Sequence, residues 1–323
     1  MQFIKSTIIC WLPLLLTAHF LTSAEAAQTS SSAVPRVVFV LDNQAGNYLP
    51  ILKGFREYAR KHIGRLIRVD LVNSQDLTPA ELSRELSGDY DLAVTIGEQA
   101  TRYVMQTNKT LPIFSLKVNQ AELRALYKAS LDQKRLITGI FRDQPFQRFA
   151  VLIRNAFPQY QRVGLLISEQ RKTLKPLFDN VMQQHELEPL VNIVRRNDLP
   201  QRVLERLAQK ADIIITVYDE EVYSQENIKS HLLTAFRHQI PVIGVTRNYT
   251  DIGAAATLYT DNFELGKQAA KQVLKKLDLS NQVLEPIYPE TFLIRVNNNV
   301  MHSLRIPLKD TDTLRQAVQQ ATY

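Results

Sequence analysis

The chain has 323 residues, 45% of them hydrophobic and 22% charged, enough to bury a core of two lobes. Its formal net charge is +7, yet the Lys and Arg residues are scattered and no run of them appears. That pattern excludes a nucleic-acid partner, because a phosphate-binding surface gathers its cations into a stripe.

Residues 1–26 read as a secretory signal peptide. Lys5 supplies the positive start, Ile8 to Phe20 an apolar stretch broken by Pro13 and His19, and Ala24-Glu25-Ala26 an A-x-A cleavage site. The stretch is short of the ~20 residues that span a bilayer, so export rather than anchoring is expected. The single cysteine, Cys10, falls inside this segment and follows Ile9, where a lipoprotein signal needs a small residue. The mature chain therefore has no disulfide, no Cys-zinc site and no thiol nucleophile. Residues 27–35 are polar and read as a disordered leader.

From Arg36 onward, apolar runs alternate with helical spacings. Arg36 to Leu41 predicts a first buried strand. After the polar turn Asp42-Asn43-Gln44-Ala45-Gly46-Asn47 comes a helix with Tyr48, Ile51, Leu52, Phe55, Ala59 and His62 on one face. Leu66 to Val72, Asp91 to Ile96, Pro112 to Leu116 and Leu136 to Phe141 read as strands, and Pro79 to Leu86 as a helix. The pattern then restarts, with strands at Gln161 to Ile167 and Glu188 to Val194 and a helix at Pro200 to Lys210. Ile213 to Val217, Pro241 to Val245 and the segment up to Tyr259 continue the alternation, followed by a helix with Gly266, Ala269, Ala270, Val273, Leu274 and Leu277 on one face. An alternating βα order of this kind predicts an α/β fold of two Rossmann-like lobes with parallel sheets. Open sheets of this kind bind ligands beyond the carboxyl ends of their strands.

Several segments carry a resemblance. Pro241-Val242-Ile243-Gly244, Ile252-Gly253-Ala254-Ala255 and Asp261-Asn262-Phe263-Glu264-Leu265-Gly266 with Ala269-Ala270 occur in the order found in ABC-transporter substrate-binding proteins of the type I periplasmic fold. Ile137-Thr138-Gly139-Ile140 is similar to the family's hinge strand, Pro158 to Gly164 to its approach to the next strand, and Arg295 to Asn299 to its terminal strand. The resemblance implies lobes joined by a three-strand hinge, the first from 36–141 plus 261–285, the second from 142–260 plus 286–310, with 311–323 as a C-terminal tail. It also implies a monomer, a small-molecule solute resembling an amino acid, and delivery of that solute to an inner-membrane ABC permease. A periplasmic sensory subunit is the alternative. The chain departs from the family's pattern at Phe141-Arg142-Asp143 and at Tyr218-Asp219-Glu220-Glu221, both where the ligand is expected.

Candidate contacts follow from the strand ends. Gly97 ends one strand and opens a helix whose free N–H groups favour an anion, with Gln99 and Ala100 behind it. Asn43 and Ser115 are expected on the same wall, with Ser168, Tyr218, Asp219 and Thr246 opposite. Tyr48, Phe141, Tyr218 and Tyr249 are candidates for an aromatic lining, Asp219 for a solute ammonium and Arg247 for its carboxylate. Asp261 with Glu264 has capping-box spacing and is also a candidate contact. Histidines 62, 185, 231, 238 and 302 lack ligand spacing, and no G-x-S-x-G, P-loop or G-x-G-x-x-G occurs. No metal, no cofactor and no catalytic activity are expected.

Overall fold

A computed structural model describes residues 34–42, 48–63, 67–131, 135–278 and 284–322. The segment expected to be a signal peptide, most of the expected polar leader and Asn43 lie outside the described residues.

Two sheets organise the described residues from 34 to 322. The first contains β1 (Arg36–Leu41), β2 (Arg68–Asn73), β3 (Leu92–Ile96), β4 (Ile113–Val118) and β5 (Ile137–Phe141), all parallel, in the order β2-β1-β3-β4-β5. Its helices are α1 (Leu49–Ile63), α2 (Pro79–Glu85), α3 (Glu98–Thr107) and α4 (Gln120–Leu131). Side chains alternate along β1: Val37, Phe39 and Leu41 pack with α1, whereas Val38 and Val40 pack with α2, α3 and α4. Burial on both faces is why this strand reads as an unbroken apolar run.

The second half comprises α5 (Phe146–Ala156), β6 (Arg162–Ser168), α6 (Leu174–Gln184), β7 (Glu188–Val194), α7 (Pro200–Ala208), β8 (Ile213–Ile215), α8 (Gln225–Arg237), β9 (Val242–Gly244), α9 (Asn248–Asp251) and β10 (Ala256–Tyr259). After these come α10 (Asn262–Asp278), β11 (Leu293–Val296), α11 (Asn298–Ser303) and α12 (Thr311–Thr322). The second sheet has the order β11-β10-β9-β8-β6-β7. It is parallel except at its edge, where β11 runs antiparallel to β10. Residues 311–322, expected as a tail, form α12, whose Leu314 and Val318 are buried in the second core.

The chain passes between the sheets three times. β5 belongs to the first sheet while Phe146, Phe149 and Ile153 of α5 lie in the second core. From β10 the chain returns through α10, whose Leu265, Ala269, Ala270 and Val273 join the first core. Ile287 bridges to Ile140 of β5 before the chain reaches β11. α10 approaches α1 so closely that a Cβ on Gly266 would lie 2.0 Å from the carbonyl oxygen of Ile51, and one on Gly54 the same 2.0 Å from that of Phe263. Only glycine permits this backbone contact.

Candidate functional site

In a parallel sheet every strand ends on the same edge. Asp42, Gly97, Lys117 and Arg142 follow or close β1, β3, β4 and β5, and Ser168, Tyr218, Asp219 and Thr246 follow or close β6, β8 and β9. Arg142 joins the two edges, its Cζ standing 4.1 Å from the centre of the Tyr218 ring. The expected walls thus approach each other at the two turns that depart from the family's pattern.

On the first edge the structure replaces the expected role of Gly97. Its φ of +103° suits glycine, and a Cβ there would sit 2.2 Å from Oδ2 of Asp42. The same oxygen accepts the N–H of Ala100 at 3.2 Å. A buried carboxylate of the chain itself therefore occupies the start of α3, where an external anion was expected. Oδ1 of Asp42 has no hydrogen-bond partner among the described residues. Asp42 was read only as part of a polar turn. Its position immediately after a buried strand was the available signal.

Ser115 is also relocated. It is fully buried in β4, its hydroxyl 3.0 Å from that of Thr95 and 3.1 Å from that of Thr101, so it ties β3, β4 and α3 together rather than facing a solute. Phe141 is buried in the first core, edge-on to Tyr288 at 5.0 Å. Tyr48 packs half-buried against the α1 cluster, and exposed Gln99 accepts a hydrogen bond from Gln75.

The second edge is built around Asp219. This residue is buried, and its Oδ2 accepts the N–H of Ser168 at 2.7 Å, linking the end of β6 to the turn after β8. Asp42 makes the corresponding link in the first sheet, between the turn after β1 and the start of α3. The Tyr218 hydroxyl donates to the carbonyl of Val245 at 2.7 Å. Burial pushes the phenols of Tyr218 and Tyr249 up to about 12, so both are neutral donors at ordinary pH. The Tyr249 ring lies against Gly244. Thr246 is half-buried, while Arg247 is exposed at the start of α9. Asp261 accepts the N–H groups of Phe263 at 2.8 Å and Glu264 at 3.4 Å, which makes it the cap of α10.

Lys117 and Arg148 escaped sequence reasoning. Lys117 lies at the register shift between β4 and β5 with a φ of +58°. Burial and the nearby Arg142 hold its ammonium down to about 8, against the opposing pull of Asp42. Arg148 is 2% exposed on an otherwise apolar helix face. It donates to Oε1 of Gln144 at 2.6 Å and lies over the Phe292 ring at 4.4 Å. Gln144 donates to the Thr260 hydroxyl at 2.7 Å, and Thr260 to the carbonyl of Thr291 at 2.9 Å. One hydrogen-bonded chain thus laces all three crossings.

Among the described residues no group of three His, Cys, Asp or Glu side chains is placed to hold a metal ion, and no helix is long and apolar enough to cross a membrane.

The fold resembles a conserved domain protein from Vibrio cholerae at 19% identity, covering 87% of this chain and 98% of that one with a TM-score of 0.61. It also resembles a Streptococcus pneumonia ABC domain in complex with L-Trp, at 16% identity, 87% and 98% coverage and a TM-score of 0.62. A third likeness is to the ligand-free, open structure of a substrate binding protein with adhesive properties from Clostridium difficile, at 16% identity, 86% and 97% coverage and a TM-score of 0.67. No protein of curated function matches the sequence. The family described as ABC transporter substrate binding protein matches residues 47–314. The chain belongs to the ABC transporter substrate-binding protein family and has the type I periplasmic binding fold.

Proposed function

We propose that this protein captures a small amino-acid-like solute, polar or aromatic, between the carboxyl edges of its two sheets and delivers it to an ABC permease of the inner membrane. The observation that carries this reading is the approach of the two edges at Arg142 and Tyr218, with Asp42 and Asp219 buried in corresponding places on either side. That arrangement brings polar, aromatic and charged side chains of both sheets to one place, which suits a zwitterion. The related ABC domain bound to L-Trp supports an amino acid as the solute class. Tyr218, Asp219, Thr246 and Tyr249 serve as contacts from the second sheet, and Gly97 and Ala100 shape the first wall through Asp42.

The protein works by binding, not by turnover. Solute bound between the sheets shifts the population toward a closed arrangement by its extra contacts there, and the crossings laced by Gln144, Thr260 and Thr291 form the hinge. Export to the periplasm follows from the leader, with cleavage after Ala26. The test is uptake in cells lacking the gene. Loss of import of one amino acid or related solute, restored by the wild-type gene, supports the reading. Unchanged import of the whole class, or turnover of an ester, peptide or glycoside by the purified protein, defeats it.

A further inference from the structure

The four rings expected to line the cleft are each packed against the protein. Phe141 is 2% exposed, edge-on to Tyr288 and with the Cζ of Arg124 5.4 Å from its ring centre. Tyr48 belongs to the α1 cluster. Tyr249 packs against the second core and against Gly244, where a Cβ would lie 2.6 Å from ring carbon Cδ2. Tyr218 packs against the same core, with its hydroxyl tied to the carbonyl of Val245. Arg142 lies over that ring, its Cζ 4.1 Å from the ring centre, and its guanidinium also hydrogen-bonds the Tyr218 side chain. Because Arg142 is exposed and Tyr218 half-buried, the guanidinium rather than the ring faces outward here.

This cover is held in place from the first sheet. The N–H groups of Phe141 and Arg142 donate to the carbonyls of Ile287 and Val118, both at 2.8 Å, and Asp143 accepts the N–H of Gln120 at 2.6 Å. The contact joins the two turns at which the chain departs from its family's pattern. An aromatic solute gains from a protein ring by stacking on it or meeting it edge to face. Where a guanidinium already lies on the ring, the solute must first break that cation–π contact and its hydrogen bond. A non-aromatic polar solute meets a positive, hydrogen-bonding surface instead and displaces nothing. We propose that Arg142 sets the solute class: its cover of Tyr218 turns away aromatic solutes and leaves a small, non-aromatic, amino-acid-like solute as the one the cleft takes. This inference rests on the solute-binding reading above and narrows it from polar or aromatic to polar.

Two measurements on the mature protein test it. The first needs no solute. In NMR spectra of arginine-labelled protein, the side-chain signal that Arg142→Ala removes should lie upfield, shifted by the ring current of Tyr218, and should return toward the ordinary arginine position in Tyr218→Leu. An Arg142 signal at the ordinary position in the wild type would overturn the cover. The second is calorimetric titration with the aromatic amino acids and with the polar and aliphatic ones. The wild type should bind a non-aromatic member and hold every aromatic one more weakly. Arg142→Ala should weaken the non-aromatic solute and strengthen the aromatic ones about 2- to 10-fold, the worth of an aromatic pair. Adding Tyr218→Leu to Arg142→Ala should cancel the aromatic gain, which a merely enlarged cleft would not do. An aromatic amino acid bound by the wild type as tightly as any other, or no aromatic gain in Arg142→Ala, would overturn the inference and leave the solute-binding reading standing. Binding of no amino acid at all, alongside a shifted Arg142 signal, would remove that reading and the solute class with it. Because Arg142 is exposed, Arg142→Ala should retain the wild-type circular dichroism spectrum.

Discussion

Replacing Gly266 with alanine sets two well-known effects against each other. In an ordinary helix the change stabilises by about 1 kcal/mol, because glycine is the poorer helix former. Here the new methyl would lie 2.0 Å from the carbonyl oxygen of Ile51 and 2.8 Å from its carbon. A normal carbon-to-oxygen contact is about 3.3 Å or more, so α1 and α10 must separate by about 1.3 Å. Overpacking a filled interior costs about 1–3 kcal/mol, and the atoms in the way are backbone and cannot rotate aside, so the upper end applies. The net expectation is destabilisation by about 2 kcal/mol. Urea unfolding followed by circular dichroism reads this as a lower midpoint with an unchanged slope. Circular dichroism is the suitable probe, since the only tryptophan, Trp11, belongs to the expected signal peptide. Exposed Lys275→Ala in the same helix serves as the control and should be near neutral. A Gly266→Ala protein as stable as the parent, or more so, would refute the close helix contact.

Three further outcomes are expected. His231 is buried, and burial holds its imidazole down to about 4 from 6.5, so the unfolded chain takes up a proton first as pH falls. Its contribution is intact above 6.5 and is lost between 6.5 and 4, up to about 3 kcal/mol. Urea midpoints between pH 7.5 and 4 should therefore fall more steeply for the wild type than for His231→Phe, and equal slopes would contradict this. Asp42→Ala leaves the buried N–H of Ala100 without its acceptor and should cost about 1–3 kcal/mol in the same assay. Asp42→Asn should cost less, and an Asp42→Ala protein as stable as the parent would remove the proposed link. Gln144→Ala withdraws the acceptor of buried Arg148 and the donor to Thr260, for a loss of about 1.5–3 kcal/mol. Hydrogen exchange should rise at all three crossings, whereas a rise at the first alone would show that they are not coupled.

The central strands were legible because they are buried on both faces and therefore read as apolar runs bounded by polar turns, as at Arg36–Leu41 and Arg162–Ser168. α12 was not, since its buried contacts rest on Leu314 and Val318 in an otherwise polar segment. Nor does anything local in Leu293–Val296 record that β11 runs antiparallel; direction is set by how the third crossing delivers the chain. For the site, residue type and strand-end position brought out Tyr218, Asp219 and Ser168, which the structure brings together. The same rule misplaced Ser115, because alternate residues of a central strand face helices rather than the strand-end cleft. Asp42 and Arg148 were missed because their roles depend on distant partners, the N–H of Ala100 for Asp42 and the carbonyl of Glu290 and the ring of Phe292 for Arg148.

The most direct test of solute capture between the sheets is calorimetric titration of the mature protein with the amino acids and related small polar and aromatic solutes, each repeated on Asp219→Asn and Arg142→Gln. The predicted result is saturable binding of one solute, or a few close analogues, at one site per chain, weakened in both variants. Absence of binding across the whole panel, or binding with the same affinity in both variants, would contradict it.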